Sequence, residues 1–409
     1  MVENRRVCLD FYINSRTVKP FEGEKTYIST GDSDDMDNAG IVTFYNRPSR
    51  ANVEPKIGDI IFAKMANTDK TFLIDENLVK NIYSTGFFDI SSKKIDNKFL
   101  YYLIKSDEFD SFKNAYSEGT TQISISDKRL KKIRISYETD INKQKKITTF
   151  LDNKCKVIDD IILNLNSSIS DLENLMQSTI AECVVSGLNN AEKVKSKNGL
   201  VDYIPKHWNF SKLGALGILS NGISKGSEFF GYGMPFVSYV DVYNNYSLPQ
   251  ITSLIDSTIE ERSVYSVKKG DIFFTRTSET IDEVGFSSVC EETIDNACFA
   301  GFLIRFRPKN NSPLHTGYAK YYFRNTYIRK FIDKNLMIVT RASLPQSLLR
   351  DIIVLLPPYD EQLEIASYLD NYVGDIMKLI GIKKQKILEL KNYKKSLIYE
   401  CISGKMEVE

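Results

Sequence analysis

Histidine, the side chain used most often for acid–base catalysis, is scarce in this sequence. The 409 residues include two histidines, His207 and His315, and neither has a cysteine or serine neighbour at a spacing typical of a triad or a zinc site. The six cysteines form no C-x-x-C pair, and no glycine-rich nucleotide-binding motif is present. We therefore interpret both histidines as structural, and we expect no catalytic residue, metal or cofactor in this chain.

Two short motifs resemble catalytic sequences but lack the necessary residues. Leu356-Pro357-Pro358-Tyr359 resembles the Pro-Pro-Tyr motif of DNA amino-methyltransferases, in which a preceding Asn or Asp accepts hydrogen bonds from the target amino group. Leu356 cannot accept them, so the motif predicts the start of a helix. Glu54-Pro55-Lys56 matches a nuclease-like E-x-K fragment without its acidic partner, and a solvated turn is the simpler interpretation.

Basic, aromatic and amide side chains instead occupy loops at matching places in the two halves of the chain. Arginine and lysine suit guanine edges and phosphates, and asparagine and glutamine suit adenine. At any single position an ordinary solvated loop is the alternative. The predicted DNA-binding residues are Arg47, Arg50, Lys64, Asn67, Lys70, Thr120 and Gln122 in the first half, and Ser224, Lys225, Tyr239, Tyr243, Arg276, Thr277, Ser278 and Arg341 in the second.

These loops flank a stretch that occurs twice. Residues 143–188 return at 361–406 with a constant offset of 218, as in the step from Gln144 to Gln362. The run Phe150-Leu151-Asp152 returns in the same way as Tyr368-Leu369-Asp370. Internal repetition of this kind indicates a duplicated architecture.

Each copy predicts one long helix with a heptad seam. In the first copy apolar residues recur every seven positions, and Ile161 and Leu175 are predicted to fill the intervening core positions. In the second copy Lys383 interrupts the seam, and Gly374 and Gly381 weaken the helix. The predicted helix-pairing residues are Leu151, Ile158, Leu165, Leu172, Leu369, Ile376, Leu390 and Leu397.

Opposite charges favour pairing of the two helices. Residues 157–188 carry five acidic residues and no lysine or arginine, whereas residues 375–406 carry eight lysines and three acidic residues. Exposed ion pairs contribute little, so burial of the leucine seam should dominate. Chain order predicts an antiparallel pair, each helix of about 45 residues forming a rod of roughly 65 Å. Two separate surface helices are the alternative.

We predict a mixed α/β (α+β) fold in which two duplicated globular domains are joined by two long antiparallel helices with approximate two-fold symmetry. Gly270-Asp271 echoes Gly58-Asp59, and Tyr321-Tyr322 echoes Tyr101-Tyr102. Residues 98–112 predict a helix. The predicted boundaries are 1–138 for the first domain, 139–189 for the first long helix, 190–202 for a linker, 203–356 for the second domain and 357–409 for the second long helix.

Composition agrees with a cytoplasmic globular protein. The chain is 42% hydrophobic and 26% charged, and it contains no signal peptide and no apolar run long enough to cross a membrane. A formal net charge of +1 means that any DNA-binding surface must consist of local basic patches.

The repeated motifs resemble a known family. The run from Pro357-Pro358 through Glu361-Gln362 to Tyr368-Leu369-Asp370, its first copy, and residues 235–244 resemble the DNA specificity subunit of Type I restriction-modification enzymes over essentially the whole chain. The resemblance implies two target-recognition domains, each reading one half of a bipartite asymmetric DNA site. It also implies that the long helices fix the unread spacer and that this subunit is not catalytic.

The resemblance further implies partners. Members of the family bind double-stranded DNA and two modification subunits, which carry S-adenosylmethionine and methylate adenine. Restriction subunits, which use ATP and Mg²⁺, are also expected. A function of a different class stays open from the residues alone, namely a coiled-coil scaffold that holds protein partners without reading DNA.

Overall fold

We analysed a computed structural model of the chain. The structure describes residues 7–31, 40–120, 123–196, 199–251, 253–278, 280, 283–336 and 342–408. The chain divides into two compact units. Unit 1 comprises residues 1–166 and 383–409, and unit 2 comprises residues 167–382.

Unit 1 begins with short strands and ends in a long helix that continues into unit 2. Its strands are β1 Val7–Cys8, β2 Tyr12–Ile13, β3 Lys25–Ile28, β4 Gly40–Val42, β5 Ala51–Val53, β6 Ile60–Ala63, β7 Thr71–Leu73, β8 Ile82–Ser84, β9 Phe87–Ser91 and β10 Arg134–Ile135. The helices are α1 Asn97–Ile104, α2 Asp107–Tyr116, α3 Asp127–Leu130 and α4 Ile141–Ser186, with a 3₁₀ turn at Leu78–Lys80.

Unit 2 follows the same plan with longer connections. Its strands are β11 Lys193–Lys195, β12 Tyr203–Pro205, β13 Asn209–Lys212, β14 Gly217–Asn221, β15 Phe230–Val237, β16 Leu254–Ile255, β17 Ile272–Thr275, β18 Thr277–Ser278, β19 Ser287–Val289, β20 Cys298–Phe299, β21 Leu303–Pro308, β22 Ala342–Ser343 and β23 Ile353–Leu356. Its helices are α5 Leu213–Leu216, α6 Tyr239–Asn244, α7 Ile259–Val264, α8 Thr316–Tyr322, α9 Thr326–Asn335, α10 Gln346–Asp351 and α11 Tyr359–Ile402, with a 3₁₀ turn at Ser227–Phe229. From residue 383 onward α11 belongs to unit 1.

The two units share one sheet topology. The order β2-β9-β6-β7 in unit 1 corresponds to β14-β21-β17-β19 in unit 2. A second sheet pairs β3 with β8 in parallel, and β15 pairs with β20 in parallel at the corresponding place. β6 and β17 are buried along their whole length, as their largely apolar sequences predict. The mixed α/β fold with duplicated domains and long helices is confirmed.

Hydrogen bonds show the duplication more clearly than residue identity does. Gln144 is fully buried, accepts the backbone N–H of Asp96 at 2.8 Å and donates to the carbonyl of Glu138. Gln362 is also fully buried, accepts the N–H of His315 at 2.8 Å and donates to two proline carbonyls. Each glutamine therefore fastens the start of a long helix to the N-cap residue of an earlier helix, Asp96 of α1 in unit 1 and His315 of α8 in unit 2.

The tyrosine correspondence predicted from sequence is wrong by one residue. The hydroxyl of Tyr102 donates to Asp152 at 2.8 Å, and the hydroxyl of Tyr321 donates to Asp370 at 2.7 Å. Since Asp152 and Asp370 are equivalent in the repeat, Tyr102 matches Tyr321. The predicted helix over 98–112 is also divided in two, because Ser106 caps α2 by accepting the N–H of Phe109.

The long helices are antiparallel within each unit. In unit 1, Lys394 of α11 bonds Asp159 of α4 at 2.6 Å, and Leu151 and Leu397 belong to the same core cluster. In unit 2, the hydroxyl groups of Thr179 and Tyr372 bond at 3.3 Å. The lower-numbered residue of α4 thus faces the higher-numbered residue of α11, as expected for an antiparallel pair.

The predicted intervening seam positions are wrong by one residue. Ile161 is 42% exposed and Leu175 is 50% exposed, whereas Ile162 is half-buried and Met176 is buried. Along α4 the spacing between inward-facing residues alternates between four and three. The next inward residue after each predicted heptad position therefore lies four places on, and the prediction had placed it three places on. All eight predicted helix-pairing residues lie on this buried or half-buried stripe.

Candidate nucleic-acid interface

Topology brings polar loops of unit 1 to one edge of its sheets. The parallel strands β3 and β8 both end there, and the turn after β8 leads directly into β9. Ala63 at the end of β6 pairs with Phe87 at the start of β9, so the loop that begins at Lys64 emerges at the same edge. The backbone carbonyl of Arg50 accepts the N–H of Thr85 at 2.8 Å, so the 46–50 loop also lies at this edge. We call these loops the polar edge of unit 1.

Unit 2 has an equivalent polar edge. β15 and β20 end side by side, and Ala300 donates its N–H to the carbonyl of Val237 at 3.0 Å. β17 ends at Thr275 opposite Leu303, so Arg276 emerges there. Ile223 bonds the carbonyl of Phe299 at 2.9 Å and leads into Ser224. The close approach requires Gly222, whose Cβ would lie 2.2 Å from the carbonyl oxygen of Ala300.

Lys64 and Arg276 occupy the same position in the two polar edges. The N–H of Lys64 donates to the carbonyl of Gly86 at 2.9 Å, and its carbonyl accepts from Ile125 at 3.0 Å. The N–H of Arg276 donates to the carbonyl of Phe302 at 2.8 Å, and its carbonyl accepts from Leu344 at 2.7 Å. Each backbone is therefore held by two neighbouring loops, and each half-buried cation projects from a fixed point.

Several of the predicted DNA-binding side chains stabilise the loops. The Arg47 guanidinium donates to the carbonyls of Phe44 and Ala51 and lies 4.1 Å from the Phe44 ring. The Lys225 ammonium donates to the backbone carbonyl of Asp256 and to the carboxylate of Glu261, each at 2.7 Å. Through these hydrogen bonds, Arg47 stabilises the 43–51 loop and Lys225 stabilises the segment after Ile223.

Two further predicted side chains, Tyr239 and Ser278, form hydrogen bonds to Glu283. The Tyr239 hydroxyl donates to the Glu283 carbonyl at 2.8 Å, and the Ser278 hydroxyl donates to the Glu283 carboxylate. Burial raises the pKa of Tyr239, so its hydroxyl stays protonated. Tyr243 stacks on Tyr239 with ring centroids 6.1 Å apart and is half-buried.

The remaining predicted residues lie on or beside the polar edges. The Lys64 ammonium lies 4.6 Å from the Phe88 ring centroid. Arg50, Asn67, Thr120 and Ser224 are exposed, and Lys70 and Thr277 are half-buried. Asn67 has a positive φ of 57°, and its backbone N–H bonds the Asn114 side chain at 2.9 Å. Gln122 and Arg341 lie outside the described residues.

Two exposed aromatic side chains at these edges, Phe302 and Tyr45, are not among the predicted DNA-binding residues. Phe302 is 61% exposed at the turn between β20 and β21. Tyr45 is 94% exposed in the loop that holds Arg47 and Arg50. Large exposed rings at sheet edges suit contact with base faces or thymine methyl groups. No sequence signal separates them from the buried aromatics, because the chain has 23 phenylalanines and 23 tyrosines.

Neither a metal site nor a membrane span is found among the residues that the structure describes. In these residues no three His, Cys, Asp or Glu side chains come together in a way that could hold an ion. None of the described helices is both long enough and apolar enough to cross a bilayer.

The family model for the Type I restriction modification DNA specificity domain matches residues 13–170 and again residues 205–392. The chain belongs to this family. Its two matched segments cover the polar edges of both units, so the chain carries two copies of the DNA specificity domain. The chain is a specificity subunit of the type I restriction-modification class, and a scaffold without a DNA-reading domain is not favoured.

Two proteins of similar sequence are also named as type I specificity subunits. The chain is 22% identical over 334 residues to the type I restriction enzyme MjaVIII specificity subunit of Methanocaldococcus jannaschii, covering 81% of this chain and 75% of that protein. It is 26% identical over 216 residues to a protein of the same organism named as the MjaX specificity subunit, covering 48% of this chain and 50% of that relative. This chain thus spans half of the MjaX relative.

A solved chain from a structural study of complex assembly and conformational transition of the type I R-M system has a similar fold. The TM-score is 0.72 with 21% identity, covering 98% of this chain and 96% of that chain. At that identity the likeness establishes the shared fold.

Proposed function

We propose that each unit reads one half of a bipartite, asymmetric DNA sequence through its polar edge. The observation that carries the proposal is the equivalence of Lys64 and Arg276. Two copies of a DNA specificity domain hold a cation at the same backbone position, between the same two loops. The side chains around that position differ between the units, which supports two different half-sites.

The residues of the edges divide into two roles. The Arg276 guanidinium makes a long contact, 3.5 Å from Nη1 to the Gly301 carbonyl, and can bond a guanine edge with two parallel hydrogen bonds. Lys64 presents a point charge that suits guanine or phosphate. Arg47 and Lys225 shape the loops, because their cations already bond backbone carbonyls or a carboxylate. Thr277 and Thr120 are proposed to contact phosphates, which would set register without reading sequence.

The long helices are proposed to fix the unread spacer and to dock two modification subunits. Each helix exposes apolar side chains away from its inward stripe, including Leu163 on α4 and Tyr393 on α11 within unit 1. In unit 2, α11 exposes Met377 and Leu379 in the same way. Exposed apolar side chains on a helix suit burial against a partner protein.

This chain is proposed to be non-catalytic. S-adenosylmethionine would be carried by the modification subunits, and ATP and Mg²⁺ would serve the restriction subunits. Leu356 supports this assignment, because it stands where an amino-methyltransferase needs an amide or carboxylate. The pure polypeptide supplied with these cofactors is expected to transfer no methyl group and to cut no DNA, and turnover would contradict the proposal.

DNA binding by the full chain tests the two-half reading. Duplexes selected from a randomised library give the preferred sequence, and affinity is then measured on duplexes altered in one half only. Arg276→Ala should relax discrimination in one half and Lys64→Ala in the other, by about 1–3 kcal/mol for a lost bidentate contact.

Two matched controls remove a lysine at the opposite end of the same strands. Lys56 precedes β6 and Lys269 precedes β17, and both are exposed. Lys56→Ala and Lys269→Ala should leave the preference in both halves unchanged. If Arg276→Ala and Lys64→Ala relax the same half, the assignment of one half to each unit is wrong.

A further inference from the structure

A lysine-rich groove lies in unit 1 beside its polar edge. The groove has a volume of about 440 Å³ and is bounded by α4, α11 and the start of β7. Five lysines line it, together with the carboxylates of Asp69 and Asp159. The five lysines are Lys70, Lys105, Lys391, Lys394 and Lys395.

The groove carries excess positive charge. Lys394 neutralises Asp159 through contacts of 2.6 and 2.7 Å. Burial lowers the pKa of Lys105, but the Tyr101 hydroxyl and the carboxylates of Asp69 and Asp159 outweigh it, so the pKa is raised and the ammonium stays charged. Within the described residues, the ammonium groups of Lys70, Lys391 and Lys395 form no ion pair.

The equivalent place in unit 2 lacks these charges. At the repeat offset of 218, Lys391, Lys394 and Lys395 correspond to Glu173, Met176 and Gln177. Gln177 lines a smaller cavity of about 180 Å³, together with Arg324, which corresponds to Lys105. The Arg324 guanidinium is occupied by four backbone carbonyls. The scaffold therefore does not require lysines at this place.

Lys70 connects the groove to the polar edge. Its carbonyl accepts the N–H of Ala63 at 2.9 Å, one residue before Lys64. A duplex whose bases meet the polar edge would extend its sugar-phosphate backbone past Lys70. Ammonium groups bind phosphates as point charges without selecting sequence.

We propose that this groove binds the DNA phosphodiester backbone next to the half-site of unit 1. The inference rests on the proposed reading of DNA by unit 1, and it adds a contact that is independent of sequence and has no counterpart in unit 2. Lys391 and Lys395 lie one helical turn apart on α11, so both can face the same backbone segment.

The test is the salt dependence of duplex binding by the full chain. In a Lys391→Gln/Lys395→Gln variant, the slope of log affinity against log salt should become shallower by about 0.9 for each lost phosphate contact, or about 2 in total. Affinity near 0.1 M salt should fall on the order of tenfold to a hundredfold for every duplex. The ratio of affinities for altered half-sites should not change. Lys391→Arg/Lys395→Arg should keep the parent slope.

The matched control is Lys154→Gln/Lys386→Gln, which removes two exposed lysines of the same long helices that do not line the groove. It should keep the parent slope. If the groove variant and this control change the slope equally, or neither changes it, the inference is overturned while the reading of DNA stands. A groove variant that keeps its slope but no longer binds the modification subunit would assign the groove to an acidic protein surface and also overturn it. If the parent chain shows no half-site preference, both the proposed function and this inference are contradicted.

Discussion

Lys64 and Arg276 show how a duplicated scaffold can hold one position fixed and vary its chemistry. The backbone of each is clamped by the same two neighbouring loops, whereas the side chains differ in the number and geometry of their donors. A rigid backbone lowers the entropy lost on binding, so the side chain alone can set the preference. At the residue scale the two units therefore agree in backbone geometry and differ in the side chain held at this position.

Asp89 predicts a pH dependence of stability that is separate from DNA reading. Burial raises the pKa of Asp89 to about 6, and the neighbouring Asp59 adds to this, while Asn14 and Arg16 oppose it. The folded state then holds the proton more tightly than the unfolded state, whose ordinary value is 3.8. Its contribution to the free energy of unfolding is therefore present at low pH and is lost as pH rises from about 4 to about 6.

Denaturant unfolding of the parent and of Asp89→Asn across that range isolates this contribution. The asparagine can still accept the Asn14 hydrogen bond, which measures 2.8 Å in the parent. The unfolding free energy of the parent minus that of the variant should fall between about pH 4 and 6 and stay level above it. A difference that rises with pH would mean that Arg16 dominates and that the pKa of Asp89 is lowered.

At the scale of the element, the seam of α4 predicts a sharp contrast between neighbours. Leu151 is 0% exposed and belongs to the core cluster that includes Leu397, whereas Ile161 is exposed. Leu151→Ala should lower the free energy of unfolding by about 2–5 kcal/mol, because it leaves a cavity in packed surroundings. Ile161→Ala should change it by less than about 0.5 kcal/mol. Equal losses in denaturant unfolding would show that the inward stripe is misplaced.

Two glycines in α11 predict the opposite effect. Gly374 and Gly381 are exposed in the helix interior, and an added Cβ at either would meet nothing within 4 Å. Gly374→Ala and Gly381→Ala should each raise the free energy of unfolding by about 1 kcal/mol, because alanine loses less backbone entropy. Thermal or denaturant unfolding measures this, and a loss of stability would mean that the helix bends at these residues.

The sequence correctly predicted the two long helices, but it did not predict every inward-facing position of α4 or the boundary between α1 and α2. The heptad spacing of Leu151 and Ile158 correctly indicated the inward face, but spacing alone did not decide whether the next inward residue was three or four places on. Ser106 divides α1 from α2 by a side-chain cap, and a serine within an apolar pattern is a weak boundary signal. Both errors concern local geometry that the packing of neighbouring elements decides.

At the scale of the whole molecule, duplication was visible in the helices and largely hidden in the domains. The helices keep one offset of 218 residues, whereas the domain equivalences shift from 212 between Lys64 and Arg276 to 219 between Ile125 and Leu344. Loop insertions cause these shifts, so a residue-by-residue comparison loses the register that the sheets retain. The exposure of Phe302 and the groove lined by Lys391 and Lys395 depend on the three-dimensional packing of distant segments, so the sequence did not reveal them.

The proposal that the long helices fix the spacer predicts the effect of lengthening both. Leu165 and Lys383 are equivalent in the repeat, so one matched heptad can be inserted after each. Seven residues add about 10 Å of helix, or roughly three base pairs. The unread gap should lengthen by about that amount while both half-site sequences stay the same, as read from the methylation motif of the altered complex. An active complex with the original gap would show that the helices do not set it.

Genome-wide detection of N6-methyladenine in a host with and without this gene tests the central claim most directly. The account predicts a methylated motif that depends on the gene and consists of two different short sequences separated by a fixed number of unread base pairs. A continuous motif, or a motif that persists without the gene, would contradict the reading of one half-site by each unit.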